Sequence, residues 1–237
     1  MIEVVVRAAS RLSAGSGYLG CVGEDSCKSS WAWLVPESWQ FRTDERVEVP
    51  DELALPCPAD VPGDRLPAVL AYWPAWRVTE WARLEIGSGV LIVGAGGLAR
   101  QVAYLCQCRG TLWRGIWGTP NARDDGELWF GLSGGQRPND FLRALPRHPD
   151  SVLMLEGGAH EIATTLALCR DLGTVVVATS PAVAVDLNLY PDVHRRGLTI
   201  RAGSPFRYGR ADGEPWRQAA RRINRLIDSG RLESSRR

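Results

Sequence analysis

Six residues near the middle of this 237-residue chain, GAGGLA at positions 94–99, most constrain what it can fold into. They follow a short apolar run at 90–93 and lead into a segment with apolar residues at helical spacing. A buried strand that turns into a helix through G-x-G-x-x-G/A is the pattern of a dinucleotide-binding loop. Gly94 permits the tight turn, and Gly96 lets the backbone approach a pyrophosphate. The alternative is a tight strand–helix turn that binds nothing.

The rest of the chain after this loop alternates in the same way. Further apolar strands are predicted at four places, 112–117, 151–155, 174–179 and 198–201. Glycines end the helices that lie between them, at Gly110 and Gly173. Short apolar strands that alternate with helices predict a parallel sheet covered by helices on both faces.

The remaining segments have a different pattern. A short strand is predicted at 2–7, and alternation of apolar and polar residues predicts two more early strands, at 31–35 and 46–49. The Gly/Ser-rich stretch that ends near Gly23 is predicted to be irregular. Pro74 interrupts the apolar stretch 66–83, which predicts a helix on each side of a bend. An amphipathic helix with arginines on its solvent face is predicted to begin near Pro215.

Composition limits the classes of partner. Hydrophobic residues make up 45% and charged residues 23% of the chain, as in globular proteins. The formal net charge of +1 gives no reason to expect nucleic acid or an anionic membrane as a partner. No apolar run reaches the roughly 18 residues of a membrane helix, and the start does not read as a signal peptide. We therefore expect a cytoplasmic protein whose six cysteines stay reduced.

The residues after the second strand of the alternating region bear on the choice of cofactor. NAD-specific sites place a carboxylate there, where it binds the ribose 2′-hydroxyl. Here the strand leads through Gly118 and Thr119 to Arg123, and no acidic residue lies between the end of the strand and Asp124. A hydroxyl and an arginine in place of the acid suit a 2′-phosphate, so NADP(H) is favoured over NAD(H). The alternative is that Arg123 is a solvated loop residue.

Five stretches together resemble the medium-chain dehydrogenase/reductase superfamily, which includes alcohol dehydrogenases and quinone oxidoreductases. They are IVGAGGLARQVA at 92–103, AWLVP at 32–36, VPDEL at 49–53, the segment 186–204, and SGRL at 229–232. The resemblance implies a Rossmann-type doubly wound parallel sheet, preceded by a shortened, mostly β remnant of a GroES-like catalytic domain. The implied domains are 1–65 (the remnant), 66–205 (the dinucleotide-binding domain with its leading helix) and 206–237 (a C-terminal helical segment).

Several features depart from that family. Far fewer residues precede Trp31 than the family's catalytic domain usually has, and the Gly-His-Glu of its catalytic zinc site is absent. Cys21 and Cys27 have no second pair of ligands beside them, so no metal is expected. Zinc-free relatives polarise the substrate carbonyl or enone with hydrogen-bond donors instead.

The resemblance also implies where a cofactor and a substrate would lie. Pyrophosphate is expected on the glycine loop, at Gly94, Gly96, Gly97 and Leu98. Nicotinamide is expected near Thr179 and Ser180. Candidate proton donors in the N-terminal remnant are Tyr18, Lys28 and Tyr72, although such residues are more often structural than catalytic.

These implications favour a zinc-independent, NADP(H)-dependent oxidoreductase that acts on a carbonyl, alcohol or enone of a small molecule. An alternative is a non-catalytic nucleotide-binding protein, a sensor or accessory subunit that kept the fold and lost the chemistry. In either case a second chain could supply the missing walls of the site. In the resembled family the last strand of the sheet, 198–202 here, pairs with its twin, so a homodimer is expected.

Overall fold

A computed structural model describes residues 1–11, 18–25, 30–36, 41–50, 53–94, 96–118, 128–131, 143, 145–179, 187–207 and 212–232. The chain forms two compact units, residues 1–76 with 206–237 and residues 77–205. The sequence-based domain limits 1–65, 66–205 and 206–237 stay a prediction. Within the described ranges, no helix combines the length and the apolar character needed to cross a bilayer.

The secondary structure is mixed. The strands are β1 Ile2–Arg11, β2 Tyr18–Glu24, β3 Ser30–Pro36, β4 Arg46–Val49, β5 Leu55–Pro56, β6 Gly89–Val93, β7 Trp113–Gly118, β8 Leu128–Gly131, β9 Ser151–Met154, β10 Thr174–Val177 and β11 Thr199–Ala202. The helices are α1 Leu66–Ala82, α2 Gly96–Cys108, α3 Ala159–Leu168 and α4 Gly213–Asp228. A π-helical turn, Tyr190–His194, precedes β11.

The first unit contains a five-stranded antiparallel sheet in the order β4-β1-β2-β3-β5. Successive side chains of a strand point to opposite faces, so alternate residues can bury one face of the sheet. The buried side chains form a core of Val4, Val6, Cys21, Trp33, Val35, Val49 and Ala54.

Strand β2 lies where the sequence predicted irregular structure, so that prediction was wrong. Glycine is depleted in strands, and the Gly/Ser-rich composition therefore concealed this one. The structure explains one of the glycines. A Cβ atom on Gly23 would lie 2.7 Å from the Val5 carbonyl oxygen and 2.9 Å from the Trp33 ring. Gly23 thus leaves room for Trp33, which packs edge-to-face against Phe41.

Helix α1 is continuous through Pro74, whereas the sequence predicted two helices around a bend. An internal proline removes one backbone donor and costs about 3 kcal/mol. The residues on both sides of Pro74 are buried, and the burial of their side chains offsets that cost. One of them, Trp73, meets Trp216 of α4 edge-to-face, with 5.4 Å between the ring centroids.

The second unit is built on a six-stranded parallel sheet in the order β11-β10-β9-β6-β7-β8. The chain builds outward from β6 through β7 to β8, and then from β9 through β10 to β11 on the other side. The strand order therefore reverses between β6 and β9, which is the topological switch point of a doubly wound sheet. This arrangement, with the antiparallel sheet of the first unit, confirms the predicted fold class.

The central strands of this sheet are buried along their whole length. All residues of β6 and β9 are buried, as expected where helices cover both faces. Helix α2 buries one face, and Gly110 follows its end with a left-handed φ of 78°, as predicted from the spacing. Strand β8 was not predicted, because four residues are too short a pattern to recognise.

Asp150 joins three segments at the amino ends of the parallel strands. Its carboxylate accepts hydrogen bonds from the Gly89 backbone N–H at 2.6 Å and from Arg147 at 2.9 Å. Arg170 completes the cluster at 2.6 Å from the other carboxylate oxygen. Since only 16% of the Asp150 side chain is exposed, these bonds are partly shielded from water.

We predict that Asp150→Ala lowers the free energy of unfolding by about 1–3 kcal/mol, because it removes the acceptor of the Gly89 N–H and the carboxylate partner of two guanidinium groups. Asp171→Ala is the matched control. Its carboxylate also pairs with an arginine, Arg196, but its side chain is 75% exposed, so a loss below about 1 kcal/mol is expected. Urea unfolding of both variants measures the difference, and equal losses would contradict the role of Asp150.

Candidate dinucleotide-binding site

The turn from β6 into α2 has a backbone that requires glycine at two positions. Gly94 has a φ of 141° and Gly96 a φ of 78°, values that residues with a Cβ rarely adopt. Ala95, between them, lies outside the described residues. The Gly94-x-Gly96 spacing found in the sequence is therefore matched by a sharp change of direction at the carboxyl end of a buried strand.

Gly94 also allows the turn to pack tightly against the neighbouring strand. It is buried, and a Cβ atom there would lie 3.2 Å from the Leu155 Cβ and 3.3 Å from the Glu156 backbone nitrogen. Backbone hydrogen bonds from Leu155 and Glu156 to the Val93 carbonyl hold the two segments together. The glycine loop thus lies directly at the switch point between β6 and β9.

The amino terminus of α2 is the part of this turn that can bind an anion. The first backbone N–H groups of a helix have no partner within the helix, and the helix dipole adds a partial positive charge there. Gly96 is exposed, and Gly97 and Leu98 are half-buried, so this end is accessible. Ala99 is fully buried, which brings the helix close to the sheet. The loop therefore has both the access and the polarity that a pyrophosphate requires.

Two of the other expected cofactor residues are among the described residues, and both lie at this same edge of the sheet. Gly118 ends β7, and Thr179 is half-buried two residues after β10. Thr119, Arg123 and Ser180 lie outside the described residues. Because all six strands are parallel, their carboxyl ends meet at one edge, as the predicted cofactor path requires.

A second glycine turn at this edge was missed by the sequence reasoning. It follows β9 at residues 156–158, and Gly157 has a left-handed φ of 123°. The Gly158 N–H donates to the Glu161 carboxylate at 2.9 Å, which fixes the start of α3. A signal was present in the sequence, since two adjacent glycines follow a buried strand here just as they do after β6.

The three candidate proton donors all belong to the first unit. Tyr18 begins β2, and Tyr72 lies in α1 with only 5% of its surface exposed. Lys28 lies outside the described residues. The near-complete burial of Tyr72 is typical of a core residue, and the catalytic role of all three stays a prediction.

The described residues contain no group of three or more His, Cys, Asp or Glu side chains that could hold a metal ion. Cys21, one of the two cysteines considered as ligands, is fully buried in the core of the first unit. Burial raises the pKa of its thiol to about 12. A zinc ligand must be a thiolate, and this environment disfavours the thiolate. Cys27 lies outside the described residues.

Solved structures of dehydrogenases share this fold. An alcohol dehydrogenase of Thermus sp. ATN1 aligns with a TM-score of 0.61 and 19% identity, over 81% of this chain and 55% of that one. A short chain alcohol dehydrogenase of Escherichia coli CFT073, complexed with the cofactor NADH, aligns with a TM-score of 0.68 and 11% identity, over 98% and 81%. L-idonate 5-dehydrogenase of Escherichia coli K-12 aligns with a TM-score of 0.63 and 13% identity, over 98% of this chain and 81% of that one.

Over the aligned residues the chain shares the fold of these dehydrogenases. The resemblance found in the sequence is thereby confirmed at the level of fold. At these identities the likeness concerns the fold alone, and the chain spans only about half the length of the Thermus enzyme.

Sequence comparison adds one local match. A glycogen synthase of Alkalilimnicola ehrlichii is 36% identical over 103 residues, which cover 43% of this chain and 20% of that protein. The chain thus spans about a fifth of the length of this curated relative, too little to assign a family. No family model matches the chain.

We predict that the purified chain binds no zinc. Elemental analysis should give well below one equivalent of metal per chain, because Cys21 stays protonated in its buried site and the family's Gly-His-Glu motif is missing. Thermal unfolding should be unchanged by a chelator. Stoichiometric zinc that is lost in a Cys21→Ser variant would contradict this prediction.

Proposed function

We propose that this chain is a zinc-independent, NADP(H)-dependent oxidoreductase that acts on a carbonyl, alcohol or enone of a small molecule. The observation that carries the proposal is the glycine turn at the switch point of the parallel sheet. Gly94 and Gly96 have left-handed backbones there, and the start of α2 is accessible beside them. Dinucleotides bind at such switch points, with the pyrophosphate at the helix amino terminus.

The residues of the glycine turn fit a dinucleotide. The backbone N–H groups of Gly96, Gly97 and Leu98 would hold the pyrophosphate, and the absence of a side chain at Gly96 leaves the approach open. A bound nicotinamide supplies the hydride transfer that protein side chains cannot perform. It would lie near Thr179 and Ser180, where the carboxyl end of β10 meets the same edge. We propose a cytoplasmic location, in which the cofactor is available.

The substrate would be polarised by hydrogen-bond donors of the chain. Tyr18, Lys28 and Tyr72 are the proposed donors, each able to hold a proton near a carbonyl oxygen. Tyr72 would need an opening of its buried surroundings to reach a substrate. This requirement makes Tyr72 the weakest of the three proposals.

The alternative function is nucleotide binding without catalysis. The glycine turn is equally compatible with it, since cofactor binding does not by itself require a catalytic group. Turnover separates the two functions. The oxidoreductase should consume NADPH with some members of a carbonyl and enone library, and Tyr18→Phe or Lys28→Met should lower kcat. Tight cofactor binding with no turnover across the library would favour the sensor or accessory subunit.

We predict that the chain binds NADPH more tightly than NADH. Arg123→Ala should reduce that preference tenfold or more, because a charge-assisted bond to the 2′-phosphate is worth about 1.5–3 kcal/mol. Calorimetric titration of both cofactors measures the ratio. Arg222→Ala, which removes an exposed arginine of α4, is the matched control and should leave the ratio unchanged. A wild-type preference for NADH would refute the choice of cofactor.

We also propose that the chain is a homodimer in which β11 pairs with its twin. Strand β11 is an edge of the described sheet, and its partner on the inner side is β10. The backbone N–H groups of Thr199 and Gly203 donate inward, to the Gly173 and Val177 carbonyls. By the alternation of a strand, the N–H groups of Ile200 and Ala202 point outward and are available to a second chain. Two-fold pairing would close this edge.

We predict that Ile200→Pro and Ala202→Pro each convert a dimer into a monomer, because each removes an outward donor. Ala202 is exposed, so its variant leaves the core intact even if the Ile200 variant is destabilised. Arg201→Pro removes an inward donor instead and should lower the melting temperature more. Light scattering at micromolar concentration gives the mass. A wild-type mass of one chain would rule out the dimer.

A further inference from the structure

The edge of the parallel sheet opposite the glycine turn carries a feature that the proposed function does not use. Because the strands are parallel, the loops that lead into them lie together at this edge. We call five of these loops the amino-edge loops. They are residues 83–88, 109–112, 145–150, 170–173 and 195–198, which lead into β6, β7, β9, β10 and β11.

Three large apolar side chains project from the amino-edge loops. The exposed fractions are 90% for Ile86, 70% for Leu112 and 77% for Leu172. Backbone hydrogen bonds between Gly87 and Gly110 and between Leu112 and Ser88 hold the first two loops side by side. Strand β10 is two positions from β6, and strands are about 4.8 Å apart, so the third side chain belongs to the same surface. Apolar side chains gathered in this way mark interaction surfaces.

Leu172 adds an independent observation. Its φ of 61° lies in the left-handed region, which is unfavourable for a leucine. Glycine or asparagine would fit this turn with less strain. Because the side chain is exposed, burial in the core does not explain its presence. A strained and exposed apolar residue is a hint of function.

Each amino-edge loop also carries at least one arginine. The six are Arg83, Arg109, Arg147, Arg170, Arg195 and Arg196, against the three carboxylates Glu85, Asp150 and Asp171. Arg109 pairs in addition with Glu80 of α1, so the surface keeps an excess of two positive charges. The net charge of the whole chain concealed this excess, because arginines that are far apart in sequence meet only in the folded sheet.

We propose that the amino-edge loops dock on an anionic lipid bilayer. Ile86, Leu112 and Leu172 would enter the interfacial region, and the exposed Arg83 and Arg195 would contact lipid phosphates. The positive excess opposes a second copy of the same surface and favours an anionic partner. A bilayer also accepts apolar side chains from separate loop tips without a matching shape. This proposal departs from the sequence-based expectation of no membrane partner, which rested on the net charge and on the lack of an apolar run long enough to span a bilayer.

Sedimentation with vesicles tests the proposal. The wild-type chain should bind vesicles of phosphatidylcholine mixed with phosphatidylglycerol but not phosphatidylcholine alone. High salt should weaken the binding, because the Debye length falls from about 8 Å at 0.15 M to about 3 Å at 1 M. A triple variant with Ile86→Ser, Leu112→Ser and Leu172→Asn should lower the partition coefficient by about tenfold or more. Asparagine is chosen because it tolerates the left-handed backbone.

The control variant is Leu189→Ser with Tyr190→Ser. These side chains are 61% and 70% exposed but lie outside the amino-edge loops, so vesicle binding should be unchanged. Thermal unfolding of both variants shows whether the fold is retained. Failure of the folded wild-type chain to bind mixed vesicles would overturn the proposal, as would an equal loss in the control. Binding to polyglutamate without binding to vesicles would also overturn it and would indicate an acidic protein partner.

Discussion

The common direction of strands β6 to β11 decides which residues of the second unit meet. It brings the carboxyl ends of the strands to one edge, where two glycine turns lie side by side after β6 and β9. It brings the loops before the strands to the other edge, where arginines and exposed leucine and isoleucine side chains gather. A parallel sheet therefore has two edges of different chemistry, and the proposed cofactor site and the proposed bilayer-docking surface both depend on that difference.

The contact between β6 and β9 is the central point of this arrangement. Gly94 approaches Leu155 and Glu156 so closely that a Cβ atom would be crowded against both, and the hydrogen bonds to the Val93 carbonyl fix that approach. At the opposite edge the same pair of strands is held by Asp150, which binds the Gly89 N–H. The switch point is thus held at both ends, and the start of α2 is positioned beside it.

Local patterns in the sequence were sufficient for the buried parts of the fold. The apolar runs of β6, β9 and β10 and the face of α2 follow simple periodicities, so they could be predicted. The same reasoning missed β2, because Gly23 is explained only by the Trp33 ring that lies over it. It also divided α1 at Pro74, because sequence alone does not show how deeply that helix is buried.

The sequence by itself determined the glycine turn, since G-x-G-x-x-A between a strand and a helix has few other physical uses. Only the tertiary structure decided what surrounds it. The second glycine turn became part of the same edge because β9 pairs with β6, and that pairing joins residues about 60 positions apart. The arginines of the amino-edge loops became one surface for the same reason. Local propensity acts between near neighbours, whereas charge and packing act between residues that the fold brings together.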